Sequence, residues 1–163
     1  MADPARLQVQ KALTAALREI TPGNGYAHDL SDAVFRGRRL YASSDPLPMV
    51  SILEVPLPPD QRDAPLGAGA RSGRWELVVQ GFVKDDPLNP TDPAHYLMHD
   101  VKKRLADEMD AGRSYDDVRG FLGLPSVITD MQIGTGVVRP PDEVSAKAYF
   151  WLVLEFQVVE KFV

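Results

Sequence analysis

The sequence predicts one α+β domain, in which a mixed or antiparallel β-sheet carries two main helices on one face. Two segments, near the N-terminus and after residue 92, repeat apolar residues at helical spacing. The C-terminal stretch instead alternates apolar and other residues with the period of two that is typical of strands. Helices and strands do not alternate strictly along the chain, which argues against a doubly wound parallel sheet.

The composition is that of a single folded domain spanning residues 1–163. Hydrophobic residues make up 44% and charged residues 25%, as in globular proteins. The absence of cysteine excludes disulfides, thiolate metal ligands and cysteine nucleophiles. No apolar run is long enough to span a membrane, and the N-terminus lacks the basic and apolar segments of a secretory signal. We therefore expect no membrane partner.

The charge balance argues against a protein that grips nucleic acid. The formal net charge is −5, whereas sequence-independent binding to phosphates depends on lysine and arginine. The short basic run of Arg36, Arg38 and Arg39 is better interpreted as a solvated strand or turn.

The first predicted helix begins at Pro4, which suits a first turn, with Asp3 as the expected cap. Its apolar stripe includes Val9, Leu13 and Leu17, and the helix ends at "TPGNG". Short strands are expected at 26–30 and 34–41, and a clearer one in "PMVSILEVPL".

The segment "PLPPDQRDAPLGAGARSG", residues 56–73, is predicted to be a long flexible loop. It is rich in proline, glycine and alanine and shows no periodicity. Loops of this length inside compact domains are usually functional or disordered. We therefore regard it as available to reach a neighbouring subunit, with these candidate interface residues: Pro58, Pro59, Arg62, Leu66 and Arg71.

A strand over "RWELVVQGFVK" leads to the second helix, predicted from Pro93 to Asp110 with Asp92 as its cap. His95 and His99 stand four residues apart on this helix and could ligate zinc. The HExxH motif, however, needs glutamate where Tyr96 stands. On a helical wheel both histidines lie on one flank of the apolar arc. We therefore favour a solvated helix edge and keep metal binding as the alternative.

The C-terminal third is expected to form a short helix from Ser114, a strand over "SVITDMQIGTGVV" with bulging glycines, and a long final strand. One face of the final strand is fully apolar and should pack on the helices. On the other face, Tyr149, Trp151 and Val153 are too apolar to be left in water as one patch. These three residues complete the candidate subunit interface.

Catalytic motifs are not recognised in the sequence. It has no GxSxG, no phosphate-binding glycine loop and no dinucleotide fingerprint, since "GTGVV" lacks the third glycine and precedes a proline turn. We therefore expect no enzymatic activity, no catalytic residue and no cofactor.

The order of these segments resembles the tail terminator, or tail-completion, proteins of long-tailed bacteriophages, the group that includes minor tail protein U. An amphipathic helix leads to strands ending "VFRGRRLY", and "MVSILEV" precedes the variable loop. Then "WELVVQGFVKDDPLNPTDPAHYLMHDVKKRL" supplies strand, turn and helix, and "AYFWLVLEFQVVEKF" closes the chain. The similarity covers nearly all of the sequence but includes no signature motif.

This resemblance implies a homo-oligomeric ring, expected to be a hexamer, on the head-proximal end of the phage tail. Its partners would be the tail tube protein and the head–tail connector protein, with DNA passing through the channel without specific binding. The subunit would assemble in the host cytoplasm and remain in the virion. Two alternatives stay open: a neck or head-completion subunit, and a small soluble enzyme or metal-binding domain that uses His95 and His99.

Overall fold

The computed structural model describes residues 2–38, 41, 44–55, 63–114, 118–142 and 145–162. It has two α-helices and a seven-stranded mixed sheet, which confirms the predicted α+β class. No helix among the described residues is long and apolar enough to cross a membrane. In chain order the elements are α1 (Ala5–Arg18), a 3-10 turn (Pro22–Asn24), β1 (Val34–Arg36), β2 (Met49–Glu54), β3 (Ala64–Gly67), β4 (Ala70–Val83), α2 (Asp92–Arg113), a second 3-10 turn (Phe121–Gly123), β5 (Ile128–Ile133), β6 (Val137–Arg139) and β7 (Ala148–Lys161).

The sheet is built around two long central strands. β4 and β7 each have 14 residues and pair antiparallel from Ala70 opposite Lys161 to Val83 opposite Ala148. The strand order is β1-β2-β4-β7-β5, with β3 beside the start of β4 and β6 beside the start of β7. Among the strands that the structure describes, β1 and β2 form the one parallel pair, so the sheet is mixed.

The core lies between one face of this sheet and the two helices. Cross-strand pairs of large apolar residues line the face, as when Trp75 stands opposite Phe156 and Leu77 opposite Leu154. Side chains at the contact between the helices and the sheet are completely buried. The following residues are all 0% exposed: Leu13, Leu17, Leu97, Val101, Phe150, Leu152 and Leu154. The predicted apolar inner face of the final strand is therefore confirmed.

Gly81 allows the aromatic ring of Phe150 to cross the neighbouring strand. The two residues stand directly opposite each other in β4 and β7. A Cβ atom added at Gly81 would lie 2.0 Å from Cε1 of the Phe150 ring, far inside van der Waals contact. Glycine in a strand interior often marks such a close approach. Here it lets a full phenylalanine fill the core.

Both helix caps differ from the prediction. The N-cap of α1 is Pro4, and the Asp3 carboxylate instead accepts a hydrogen bond from Lys11 Nζ at 2.7 Å. The N-cap of α2 is Thr91, which makes no side-chain cap, and Asp92 is the first residue of the helix. A carboxylate in the first turn still favours the helix through its dipole. The helix also continues past the predicted end, to Arg113.

The predicted loop at 56–73 is wrong for its second half. From Ala64 the chain forms a hairpin of β3 and β4. The turn residues Gly67, Ala68 and Gly69 all have positive φ, and two of the three are glycines, which adopt this conformation without strain. Gly67 and Gly69, which the sequence analysis assigned to a flexible loop, thus form the turn of this hairpin. Residues 56–62 lie outside the described residues.

Three further segments also differ. The predicted strand at 26–30 is not a strand, and β1 ends at Arg36 rather than continuing to residue 41. The strand expected over 126–138 is divided into β5 and β6 by residues 134–136. Residues 115–117, within the short helix expected from Ser114, lie outside the described part, and the next helical turn occurs at Phe121–Gly123.

Candidate functional site

The face of the sheet opposite the helices carries an exposed apolar cluster. On this open face Val78 stands opposite Val153, and Trp151 stands between Gln80 of β4 and Val137 of β6. Trp151 is 38% exposed, Val153 40% and Val137 54%. We call Val78, Val137, Trp151 and Val153 the open-face patch. The sequence prediction of an apolar, incompletely covered face holds for Trp151 and Val153.

Tyr149 does not belong to this patch, although the sequence placed it there. Its ring is only 2% exposed and lies against Phe82, with ring centroids 6.1 Å apart. Its hydroxyl donates a hydrogen bond to the Asp142 carboxylate at 2.9 Å, and burial raises the pKa of the Tyr149 phenol. The ring of Tyr41 also packs against Phe82, with ring centroids 4.6 Å apart. The chain thus covers this end of the face itself, and Tyr149 is unavailable to a partner.

The opposite border of the patch is a charged trio. Glu76 and Glu155 stand directly opposite each other, and like charges in that position are destabilising. Arg74 relieves the repulsion by pairing with Glu76 at 3.1 Å and with Glu155 at 2.8 Å. The open-face patch therefore lies between aromatic residues that the chain itself covers and an ion-paired trio that keeps one net negative charge. Both borders of the patch are formed by this chain.

Leu66 and Arg71, the candidate interface residues of the predicted loop that the structure describes, lie at the far end of the sheet. Leu66 is 57% exposed in β3, and Phe162, which is 64% exposed, donates its backbone N–H to Gly69 O in the hairpin turn. Arg71 is half-buried and donates to Ala70 O. We call Leu66 and Phe162 the hairpin-end patch. Pro58, Pro59 and Arg62 lie outside the described residues.

The two patches cannot cover each other within one chain. Phe162, just beyond the end of β7, follows Val153 by nine positions, which corresponds to about 30 Å at the usual rise of a strand. The structure therefore divides the predicted interface in two. Trp151 and Val153 lie together on the open face, and Leu66 lies at the other end of the ladder.

The histidine pair lies where the wheel placed it, at the solvent. His95 and His99 are both exposed on α2. Among the residues that the structure describes, no group of three or more histidine, aspartate or glutamate side chains is arranged to hold a metal ion. Within this part of the chain, the metal-binding alternative gains no third ligand.

Asp100 is a buried charged side chain that the sequence analysis did not identify. Asp100 is 5% exposed, and its Oδ2 accepts hydrogen bonds from the backbone N–H groups of Ala27 and His28, both at 3.0 Å. Nδ1 of His28 lies 2.7 Å from the same oxygen. These contacts fasten the segment after α1 to the middle of α2. No signal in the sequence indicated these distant partners.

No protein-family model matches this sequence, and a search of curated proteins finds no significant match. The function is therefore inferred from the residues and from this geometry.

Proposed function

We propose that this chain is a structural virion subunit that caps the tail tube of a long-tailed bacteriophage. As part of a ring it would end tube polymerisation and form the joint to the head connector. The observation that carries the proposal is the open-face patch, where Trp151, Val153 and Val137 remain in water beside a complete core. Contiguous exposed apolar residues mark surfaces that bind a partner. The order of elements, which resembles the tail terminators, favours this particular assembly.

The positions of the two patches favour a ring over a simple dimer. A two-fold dimer uses the same surface on both subunits, whereas rings use two different surfaces that meet head to tail. Here the open-face patch and the hairpin-end patch differ in residues and lie about 30 Å apart along the central ladder. The open-face patch of one copy would contact the hairpin-end patch of the next. Every copy then has both patches covered only when the ring is closed.

The charge of the chain is compatible with a channel for DNA. Each neutralised phosphate strengthens binding to DNA, so a pore must offer few such contacts if DNA is to pass through it. The chain has 18 lysine and arginine residues against 23 aspartate and glutamate residues. We infer that DNA passes through the ring without specific binding, while the tail tube protein and the head–tail connector protein bind its two sides.

Two alternatives predict different results. A neck or head-completion subunit would form a similar ring but would bind connector proteins instead of the tail tube, so co-sedimentation with purified tubes separates the two. A metal-binding domain or small enzyme would use His95 and His99. Zinc titration of the wild-type protein and of the His95→Ala/His99→Ala variant tests that alternative.

Cysteine cross-linking tests the head-to-tail contact directly, because the natural chain contains no cysteine. We would make Leu66→Cys and Val153→Cys separately and mix the two proteins with a short bifunctional thiol reagent. The proposal predicts a cross-linked dimer in the mixture and none in either protein alone. A chain with both cysteines should give a ladder that stops at the ring number.

The matched control is Leu88→Cys, because Leu88 is 89% exposed and lies outside both patches. It should not cross-link to Val153→Cys. A dimer in the Val153→Cys protein alone would show a two-fold contact and contradict the ring. If positions 66 and 153 do not cross-link either with or without tail tubes, the head-to-tail arrangement is contradicted.

A further inference from the structure

A cavity opens at the hairpin end of the sheet, between the start of α1 and the end of β7. Its volume is about 610 Å³, within the range of roughly 300–1,000 Å³ that is usual for ligand sites. Its apolar lining residues are Ala2, Pro4, Ala5, Val127, Val159 and Phe162. Phe162 also belongs to the hairpin-end patch, so this hairpin-end cavity continues that patch toward α1.

The charged residues that the structure describes at this cavity leave one net positive charge. Asp3 is paired with Lys11 at 2.7 Å, and Glu160 is paired with Arg6 at 2.9 Å. Lys161 borders the cavity, is exposed, and forms no ion pair with any described residue. The hairpin-end cavity therefore suits an apolar group that brings a negative charge beside it.

Gln8 supplies a hydrogen-bond acceptor in the wall of the cavity. Its Nε2 donates to Asp3 O at 2.7 Å, which holds the amide by one end. Its Oε1, at the other end, can accept a hydrogen bond. A wall that is mostly apolar with one acceptor suits an indole ring, because the ring is apolar and its N–H needs a partner once it is buried.

The open-face patch presents such a group. Trp151 is 38% exposed, and a covered side chain of this kind buries roughly 150–250 Å². No described residue accepts a hydrogen bond from its indole N–H. Glu155 lies four positions further along β7, about 13 Å away at the usual rise of a strand. With Arg74 and Glu76, it forms the trio that keeps one net negative charge.

We propose that the hairpin-end cavity binds the indole ring of Trp151 from the next copy of this chain, with Lys161 facing the negative trio of that copy. This inference rests on the proposed function and assigns its head-to-tail contact to one side chain and one cavity. The charges give the contact its direction. Two open-face patches would bring two negative trios together, and two cavities would bring two lysines together, so both two-fold contacts are disfavoured.

The test distributes the same four substitutions over two proteins in two different ways. Ser126→Trp fills the cavity from its own chain, because Ser126 is exposed and lines it. In the first pair, the Leu66→Cys protein also carries Trp151→Ser. Its partner, the Val153→Cys protein, carries Ser126→Trp. In the second pair, Trp151→Ser and Ser126→Trp are exchanged between the two proteins. Each pair is mixed with the short thiol reagent, and folding of every protein is checked by circular dichroism.

The first pair retains one open cavity and one Trp151 on opposite partners, whereas the second pair retains neither for the contact that the cysteines report. We expect at least about tenfold more cross-linked dimer from the first pair, because a central aromatic contact contributes more than the ~1.4 kcal/mol that corresponds to a factor of ten. The two pairs contain the same substitutions in total, so each is the control for the other.

The reference is the mixture of Leu66→Cys and Val153→Cys proteins without further substitutions. If the reference cross-links and the two pairs give equal yields, high or low, the cavity is not the site of Trp151 and the ring stands without it. If the reference does not cross-link, the head-to-tail contact itself has failed and this inference falls with it. A Trp151→Ser protein that unfolds would also overturn the inference. If Ser126→Trp does not fold, Ala2→Trp replaces it, since Ala2 is exposed and lines the same cavity.

Discussion

Replacing Gly81 by alanine should destabilise the fold through one identified collision. The added Cβ would lie 2.0, 2.5 and 2.7 Å from three atoms of the Phe150 ring. Phe150 is 0% exposed, so its ring has no solvent-filled space into which to turn. Overpacking of this kind costs about 1–3 kcal/mol, and we expect the upper end here. Relief from glycine's excess backbone entropy offsets roughly 0.5–1 kcal/mol, which leaves a net loss of about 2 kcal/mol.

Urea unfolding followed by circular dichroism measures this loss, and a double-mutant cycle identifies its origin. Phe150→Leu alone should destabilise, but in the Gly81→Ala background it should relieve the collision and give a coupling of at least about 1 kcal/mol. Gly23→Ala is the control, because its Cβ would meet nothing closer than Thr21 Oγ1 at 3.9 Å. A neutral Gly81→Ala, or two additive losses, would refute the pairing of β4 and β7 in this register.

Three further changes separate anchoring, solvent and partner roles. Asp100→Ala removes the acceptor for His28 and should lower the free energy of unfolding in urea by about 2–4 kcal/mol, and Asp100→Asn should lower it less. An unchanged urea midpoint for Asp100→Ala would contradict the anchoring role. His95→Ala and His99→Ala should change stability by no more than about ±0.5 kcal/mol, and stoichiometric zinc in the wild-type protein would reverse this interpretation. Trp151→Ser removes about 150 Å² of side-chain surface that is buried within the subunit, so it should lower the free energy of unfolding by at most about 4 kcal/mol. The variant should therefore fold but no longer assemble. Outright unfolding would place Trp151 in the core of its own subunit.

The elements with clear periodicity were predictable from the sequence. The apolar stripe of the first helix and the alternation of the final strand each follow from one local pattern, and Leu13, Leu17 and Phe150 are all buried as that pattern predicts. Period two also separated the faces of β7, so the exposure of Trp151 and Val153 followed from the sequence. A local repeat of apolar residues is enough to predict these elements because each buried face packs against a uniformly apolar core.

What the sequence did not predict depends on contacts between distant segments. Tyr149 alternates with the core like Trp151, but Phe82 and Asp142 contact it, and no local pattern in the sequence indicates these contacts. Asp100 is buried because Ala27 and His28 supply donors from more than seventy residues away.

The hairpin at 64–73 was missed for a different reason. Its glycines and proline indicate loops as readily as turns, and only the pairing of β3 with β4 and of β4 with β7 makes the segment two strands.

The central claim, that this subunit assembles as a ring, is tested most directly by mass in solution combined with negative-stain imaging. Wild-type protein is measured alone and with purified tail tubes, because assembly on a tube would place the ring at its end. The account predicts a closed ring with a central channel, free or at one tube end, that the Trp151→Ser variant fails to form. A folded protein that remains at its monomer mass of 18.0 kDa in both conditions, with no density added to the tubes, would contradict the account.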